Sequence, residues 1–235
     1  MPDRPYTVLS CAMSIDGYCD SASDERLVLS NAEDLDRVDA VRAGCDAILV
    51  GAGTVRNDNP RLVVRDSARA AQRVARGQPP TPMKVTVTER AKLDPEAQFF
   101  TVGDTVKLVY CAGDTVDTAR DLLDGVATVV DAGRPVRMRW LCEDLHARGV
   151  RRLMVEGGGT VLTQFLTEDL ADELQLVVAP LFVGDSRARR LVDDGRFPWR
   201  PDSRARLLET RPIGDVVLLR YALSSRCPVP AEDAR

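Results

Sequence analysis

Two kinds of hydrophobic pattern alternate along most of the chain. Residues 7–12 and 46–50 are short apolar runs bounded by turn residues, as in buried strands. Between them Ser30-Asn31-Ala32-Glu33 reads as a capping box, followed by Leu35, Val38 and Val41 at helical spacing and a stop at Gly44. Further strands are predicted over 84–88, 107–111, 126–131, 152–156 and 173–179. Helices are predicted over 116–123, over the Met138, Leu141, Leu145 stripe stopped by Gly149, and over 160–166. Residues 66–82, rich in Arg, Ala and Pro, read as a helical or loop insertion, whereas 204–209 and 215–223 suggest an antiparallel hairpin. Serial β/α units closed by a hairpin predict an α/β fold, with a mixed, mainly parallel sheet flanked by helices. No repeat or composition break divides the chain, so one domain is expected over 1–224, with a disordered polar tail over 225–235.

Composition narrows the chemistry. With 36 acidic and 32 basic residues the formal charge is −4, which offers no footprint for nucleic acid or an anionic membrane. No apolar run reaches the roughly 18 residues needed to span a bilayer, and residues 1–6 lack a signal-peptide core. Cys11, Cys19, Cys45, Cys111, Cys142 and Cys227 are scattered like small buried hydrophobes, so a reducing, cytoplasmic setting is expected. A lone histidine, His146 in a predicted helix, leaves no material for His triads or His-rich zinc sites, and no metal is expected. P-loop and zinc-deaminase signatures are also missing.

Three segments that follow predicted strands carry candidate chemistry. Met13-Ser14-Ile15-Asp16-Gly17 puts Asp16 at a strand's carboxyl end, where open α/β sheets bind ligands; an Asx-turn is the competing reading. The run from Gly51 to Leu62 (GAGTVRNDNPRL) sets two glycines at a strand exit, ahead of Thr54, Asp58, Arg61 and Arg65. It is not a Rossmann fingerprint, because Arg56 stands at the third glycine position. Glu156-Gly157-Gly158-Gly159-Thr160 places bare amides where a helix dipole favours a pyrophosphate, after a strand-end carboxylate that needs donors or a ligand. Together they suggest a dinucleotide enzyme without a Rossmann signature.

The ordered set M-S-I-D-G, D-A-I-L-V-G-A-G-T-V-R-N-D-N-P-R-L, V-E-G-G-G-T and A-P-L-F-V-G resembles the pyrimidine reductases of riboflavin biosynthesis. These are the RibD C-terminal reductase domain and its stand-alone relatives, which share the dihydrofolate reductase-like fold. The resemblance covers about residues 5–224. It implies a homodimer that reduces a ribosylaminopyrimidine 5′-phosphate with NADPH, with any deamination supplied by another protein. It also implies cofactor contacts from Ala12, Gly51, Thr54, Asp58, Gly157, Gly158, Gly159, Thr160, Val161 and Leu162. Substrate contacts are implied for Arg42, Arg61, Leu62, Arg65 and Glu156, the arginines suiting a phosphate. Ser10 replaces a lysine of many bifunctional members, and the segment near Arg26 lacks a serine of some relatives.

In the implied reaction, hydride passes from the nicotinamide to C1′ of the opened sugar, and the protein orients both ligands and excludes water. Glu156 and Asp16 are the candidates for assisting the accompanying proton, directly or through water, with binding and orientation as the first role of Glu156. Arg56, Arg90 and Lys92 are alternatives for a 2′-phosphate. Two other readings stay open. One is a dihydrofolate-type reductase gripping its substrate through Glu33 or Asp34; the other is a non-catalytic dinucleotide sensor.

Overall fold

The structure, a computed structural model, describes residues 3–23 and 27–228. In chain order the elements are β1 (Tyr6–Ser14), α1 (Ala32–Ala43), β2 (Ala47–Gly51), α2 (Ala52–Asp58), α3 (Ser67–Ala75), β3 (Met83–Thr88) and α4 (Gln98–Thr101). There follow β4 (Lys107–Cys111), α5 (Val116–Leu122), β5 (Thr128–Asp131), α6 (Met138–Ala147), β6 (Arg152–Gly157) and α7 (Gly159–Thr167). The chain then runs through β7 (Glu173–Ala179), β8 (Arg206–Ile213) and β9 (Val216–Ala222). No helix among the described residues is long and apolar enough to cross a membrane.

Contacts group the chain into two units, one of Val38–Gly158 with Met1–Pro5, the other of Tyr6–Arg37 with Gly159–Arg235. In the first, β5, β4, β3, β2 and β6 pair in that order, and every pairing is parallel. Its strands are short runs of Val, Leu and Ile, and β2 is buried at all five positions, as expected of a strand covered on both faces. Ile48, Val50, Val55, Leu62, Phe99 and Val109 belong to one of its apolar clusters. In the second unit β1 pairs parallel with β7, and the β8–β9 hairpin extends that pair antiparallel. Leu29, Val177, Ile213 and Leu218 form a cluster there. The mixed, mainly parallel arrangement and the terminal antiparallel hairpin are as the pattern predicts.

Several local expectations change. Asn31, not Ser30, caps α1: its Oδ1 accepts the Asp34 N–H at 2.9 Å, and its Nδ2 donates to the Ile213 carbonyl at 2.7 Å. The helix buries Asp34 and Asp39, whereas Leu35 is exposed, so its inward face is partly ionic. Within residues 66–82, Ser67–Ala75 form α3, capped by Asp66, and the buried Arg73 ties it to the carbonyls of Ala43 and Cys45. Beyond β9, Ser224 donates to Asp172 at 2.6 Å and Tyr6 donates to the buried Cys227 at 3.1 Å, so residues 225–228 of the expected tail are anchored. Residues 229–235 and Arg26 lie outside the described residues.

Candidate active site

The parallel register sets the exits of β2 and β6 side by side, with Val50 opposite Gly157. Gly51 ends β2 and serves as N-cap of α2, so a short helix stands where the sequence suggested an open glycine turn. Ala52 and Val55 bury its inner side; with only those two apolar anchors and no capping side chain, it left no helical signature. Thr54 lies in this helix, and Asp58 is its exposed last residue. A Cβ on Gly158 would stand 3.3 Å from Thr54 Oγ1, so the two glycine segments meet at that point.

Each glycine of the turn answers to a different constraint. Gly157 has φ +126, a conformation that side-chain-bearing residues rarely adopt, and nothing lies within 4 Å of where its Cβ would be. Gly158 must pass Thr54. Gly159 backs onto main chain: its Cβ would come 3.2 Å from the Arg190 carbonyl oxygen. The turn thus needs glycine for local reasons, and its open side is at Gly157.

Glu156, just before this turn, is held by Arg42 at the end of α1. Arg42 Nε and Nη2 donate to Oε1 and Oε2, each at 2.6 Å, a two-pronged pair at 16% and 13% side-chain exposure. Burial works against the Arg42 charge, but the Glu156 carboxylate outweighs it and holds the guanidinium above its ordinary range. Arg42 Nη1 also reaches the Val63 carbonyl at 3.4 Å. The pair joins residues 114 apart in sequence.

The remaining substrate-side residues differ in availability. Arg61 is exposed and donates to Gln98 Oε1 at 2.8 Å. Arg65 is half exposed and stands 3.6 Å from Asp39. Leu62, at 2% exposure and with φ +48, packs its side chain into the apolar cluster. Sequence reasoning passed over Asp39 and Arg69, which are joined at 3.1 Å; the i,i+3 spacing of Asp39 and Arg42 was the available signal.

In the second unit Asp16 follows β1, and its carboxylate is fully engaged. Oδ1 accepts from Ser14 Oγ at 2.5 Å and from the Val183 N–H at 3.1 Å, while Oδ2 accepts the Gly184 N–H at 2.8 Å. The M-S-I-D-G segment is thereby clasped to A-P-L-F-V-G. The Ser14 hydrogen bond, and after it the two amides, hold this carboxyl down to about 2. Ala12, opposite Val177, is partly buried against the nearby cluster. Thr160 at the start of α7 donates to Asp193 Oδ2 at 3.0 Å. Val161 and Leu162 bury their side chains in the first turns of α7. Asp34 is buried and accepts from Arg37 at 2.7 Å.

A family model described as the RibD C-terminal domain matches residues 5–219. A protein of Archaeoglobus fulgidus named 2,5-diamino-6-ribosylamino-4(3H)-pyrimidinone 5′-phosphate reductase is 34% identical over 83% of this chain and 89% of its own length. One of the same name from Methanothermobacter thermautotrophicus is 34% identical over 94% of this chain and 99% of its own. Among solved structures, a pyrimidine reductase-like protein of Corynebacterium diphtheriae superposes with TM-score 0.78 at 22% identity, covering 93% of this chain and 91% of that one. The ordered motifs, the parallel strands that present them and these likenesses agree: the chain belongs to the RibD C-terminal domain family.

Proposed function

We propose that the protein reduces a ribosylaminopyrimidine 5′-phosphate to its ribitylamino counterpart with NADPH, as a step of riboflavin biosynthesis. The observation that carries this reading is the mostly buried Arg42–Glu156 pair at the exit of β6, within a family whose archaeal relatives bear the reductase name. Because both relatives are named for the diamino compound, reduction before deamination is the order we favour over use of 5-amino-6-(5-phosphoribosylamino)uracil.

The residues present fit a dinucleotide. The side-chain-free stretch at Gly157 and Gly158 lets a pyrophosphate approach the main chain, and the unfilled space is at Gly157. Thr54 and Asp58 on α2, with Gly51 before it, suit the rest of the cofactor. Arg56 Nη1 donates to the Lys92 main-chain carbonyl at 2.9 Å, which orders this exposed guanidinium as a candidate for a 2′-phosphate. Bound nicotinamide supplies the hydride that reduces C1′ of the sugar. Glu156 meets the substrate as a carboxylate held square by Arg42, which makes it a binding and orienting group before a proton carrier. Asp16 orders the loop beside β1 and, ionised at neutral pH, has no proton to give, so its role is positioning.

The test follows loss of nicotinamide absorbance with the diamino substrate, its deaminated form and dihydrofolate, each with NADPH and NADH. Turnover of the diamino compound with NADPH is expected. Cofactor binding with no turnover of either pyrimidine overturns the reading in favour of a dinucleotide sensor. Loss of NADPH preference in Arg56→Ala is the check on the cofactor, and sedimentation analysis checks the homodimer.

A further inference from the structure

Asp39 is buried to 1% exposure, three residues before Arg42 on α1. Its Oδ1 accepts the Arg65 main-chain N–H at 2.6 Å and its Oδ2 the Asp66 N–H at 3.2 Å. Arg69 Nη1 donates to Oδ2 at 3.1 Å, and Arg65 Nε stands 3.6 Å from Oδ1. Asp66, as the cap of α3, accepts the Arg69 N–H at 2.7 Å, so Arg69 is fixed through both its main chain and its side chain. Burial opposes the Asp39 charge, but the two amides and the Arg69 guanidinium outweigh it and keep the carboxyl below its ordinary range. The field of Asp39 also reaches Arg42.

Three guanidinium groups (Arg42, Arg65, Arg69) thus gather around two buried or mostly buried carboxylates (Asp39, Glu156). Arg42 is committed to Glu156 by two prongs. Arg65 and Arg69 retain 50% and 24% side-chain exposure and share one buried anchor, an arrangement suited to a doubly charged anion. We propose that Arg69 is a second ligand, beside Arg65, for the phosphate of a sugar-phosphate substrate, and that Asp39 is the positioning residue that holds the two guanidinium groups. This rests on the reading that the substrate carries a phosphate ester.

The experiment is calorimetric titration of the full chain with ribose 5-phosphate, and separately with NADPH. Arg69→Ala is expected to weaken the sugar phosphate about tenfold, the loss of one charge-assisted hydrogen bond, with Arg69→Lys between it and the wild type. NADPH affinity is expected to hold in both, which damage to the fold would not allow. Asp39→Asn removes a negative charge and on field alone would tighten phosphate; a positioning role predicts weaker binding instead. Ribose 5-phosphate affinity that is unmeasurable in the wild type, unchanged in Arg69→Ala, or tighter in Asp39→Asn overturns the proposal. If Asp39→Asn does not fold, the Arg69 pair decides. Pyrimidine turnover in the wild type is scored apart: its absence alongside Arg69-dependent binding overturns the reductase reading and leaves this site standing.

Discussion

Glu156 and Asp16 are both acids at the carboxyl ends of parallel strands, yet they are held in different ways. Glu156 is gripped by one side chain, the Arg42 guanidinium, whereas Asp16 is gripped by Ser14 and by the amides of Val183 and Gly184. A side-chain partner can rotate when a ligand arrives, so such a carboxylate can exchange one hydrogen-bonding partner for another. A carboxylate bound to main-chain amides cannot let go without moving the loop. Position at a strand end therefore does not distinguish a ligand-facing acid from a loop clasp; the identity of the donors does.

The sharpest way to break the comparison is Glu156→Ala. It strands a mostly buried guanidinium, and denaturant titration is expected to show a loss of about 3 kcal/mol. Adding Arg42→Ala is expected to restore part of that loss, the signature of a coupled pair. Glu156→Gln keeps the shape, so stability falls less while kcat/KM drops roughly a hundredfold, a loss of about 2.7 kcal/mol. Near-normal turnover and KM in that variant would remove Glu156 from substrate binding.

Next in size is Gly157→Ala, which forces a Cβ into φ +126 and is expected to cost about 1–3 kcal/mol, read as a lower Tm together with weaker NADPH binding. Asp16 sharpens the contrast through pH. Its folded carboxyl titrates at about 2, below the ordinary 3.8, so the clasp is present above that ordinary value and is lost as pH falls through about 2. Hydrogen exchange at the Val183 and Gly184 amides is expected to stay slow until that range and then accelerate. Asp16→Asn is expected to speed that exchange at neutral pH while leaving the pH dependence of turnover there unchanged. Smallest is Asp193→Ala, which removes an exposed partner of Thr160 and is expected to change stability by about 0.5 kcal/mol or less.

Much of the framework was legible, and the reason is hydrophobic period. β4 and β7 begin and end where their apolar runs do, and α6 follows its Met138, Leu141, Leu145 stripe. Elements built on other interactions were not legible. The inner face of α1 carries Asp34 and Asp39, whose burial is made tolerable by Arg37 and by the amides of Arg65 and Asp66, partners invisible to a pattern of apolar residues. α2 stayed hidden because GAGTVRND has glycines where a helix usually has formers. Of the site, Glu156 and the glycine turn were visible as residue types out of place: a carboxylate ending an apolar strand and successive glycines with no turn to explain them all.

From the sequence alone came the alternation of strands and helices, the hairpin and the family, because burial periodicity and ordered motifs are properties of the chain read in one dimension. Only the tertiary structure decided which charged groups meet. Arg42 finds Glu156 across 114 residues, Leu62 turns into the core, and Asp16 spends its oxygens on a loop that begins more than 160 residues later. The physical reason is range. A hydrophobic stripe declares itself within a few residues, whereas a hydrogen bond acts over about 3 Å in space, and the chain brings its partners within that distance only once the strands have paired.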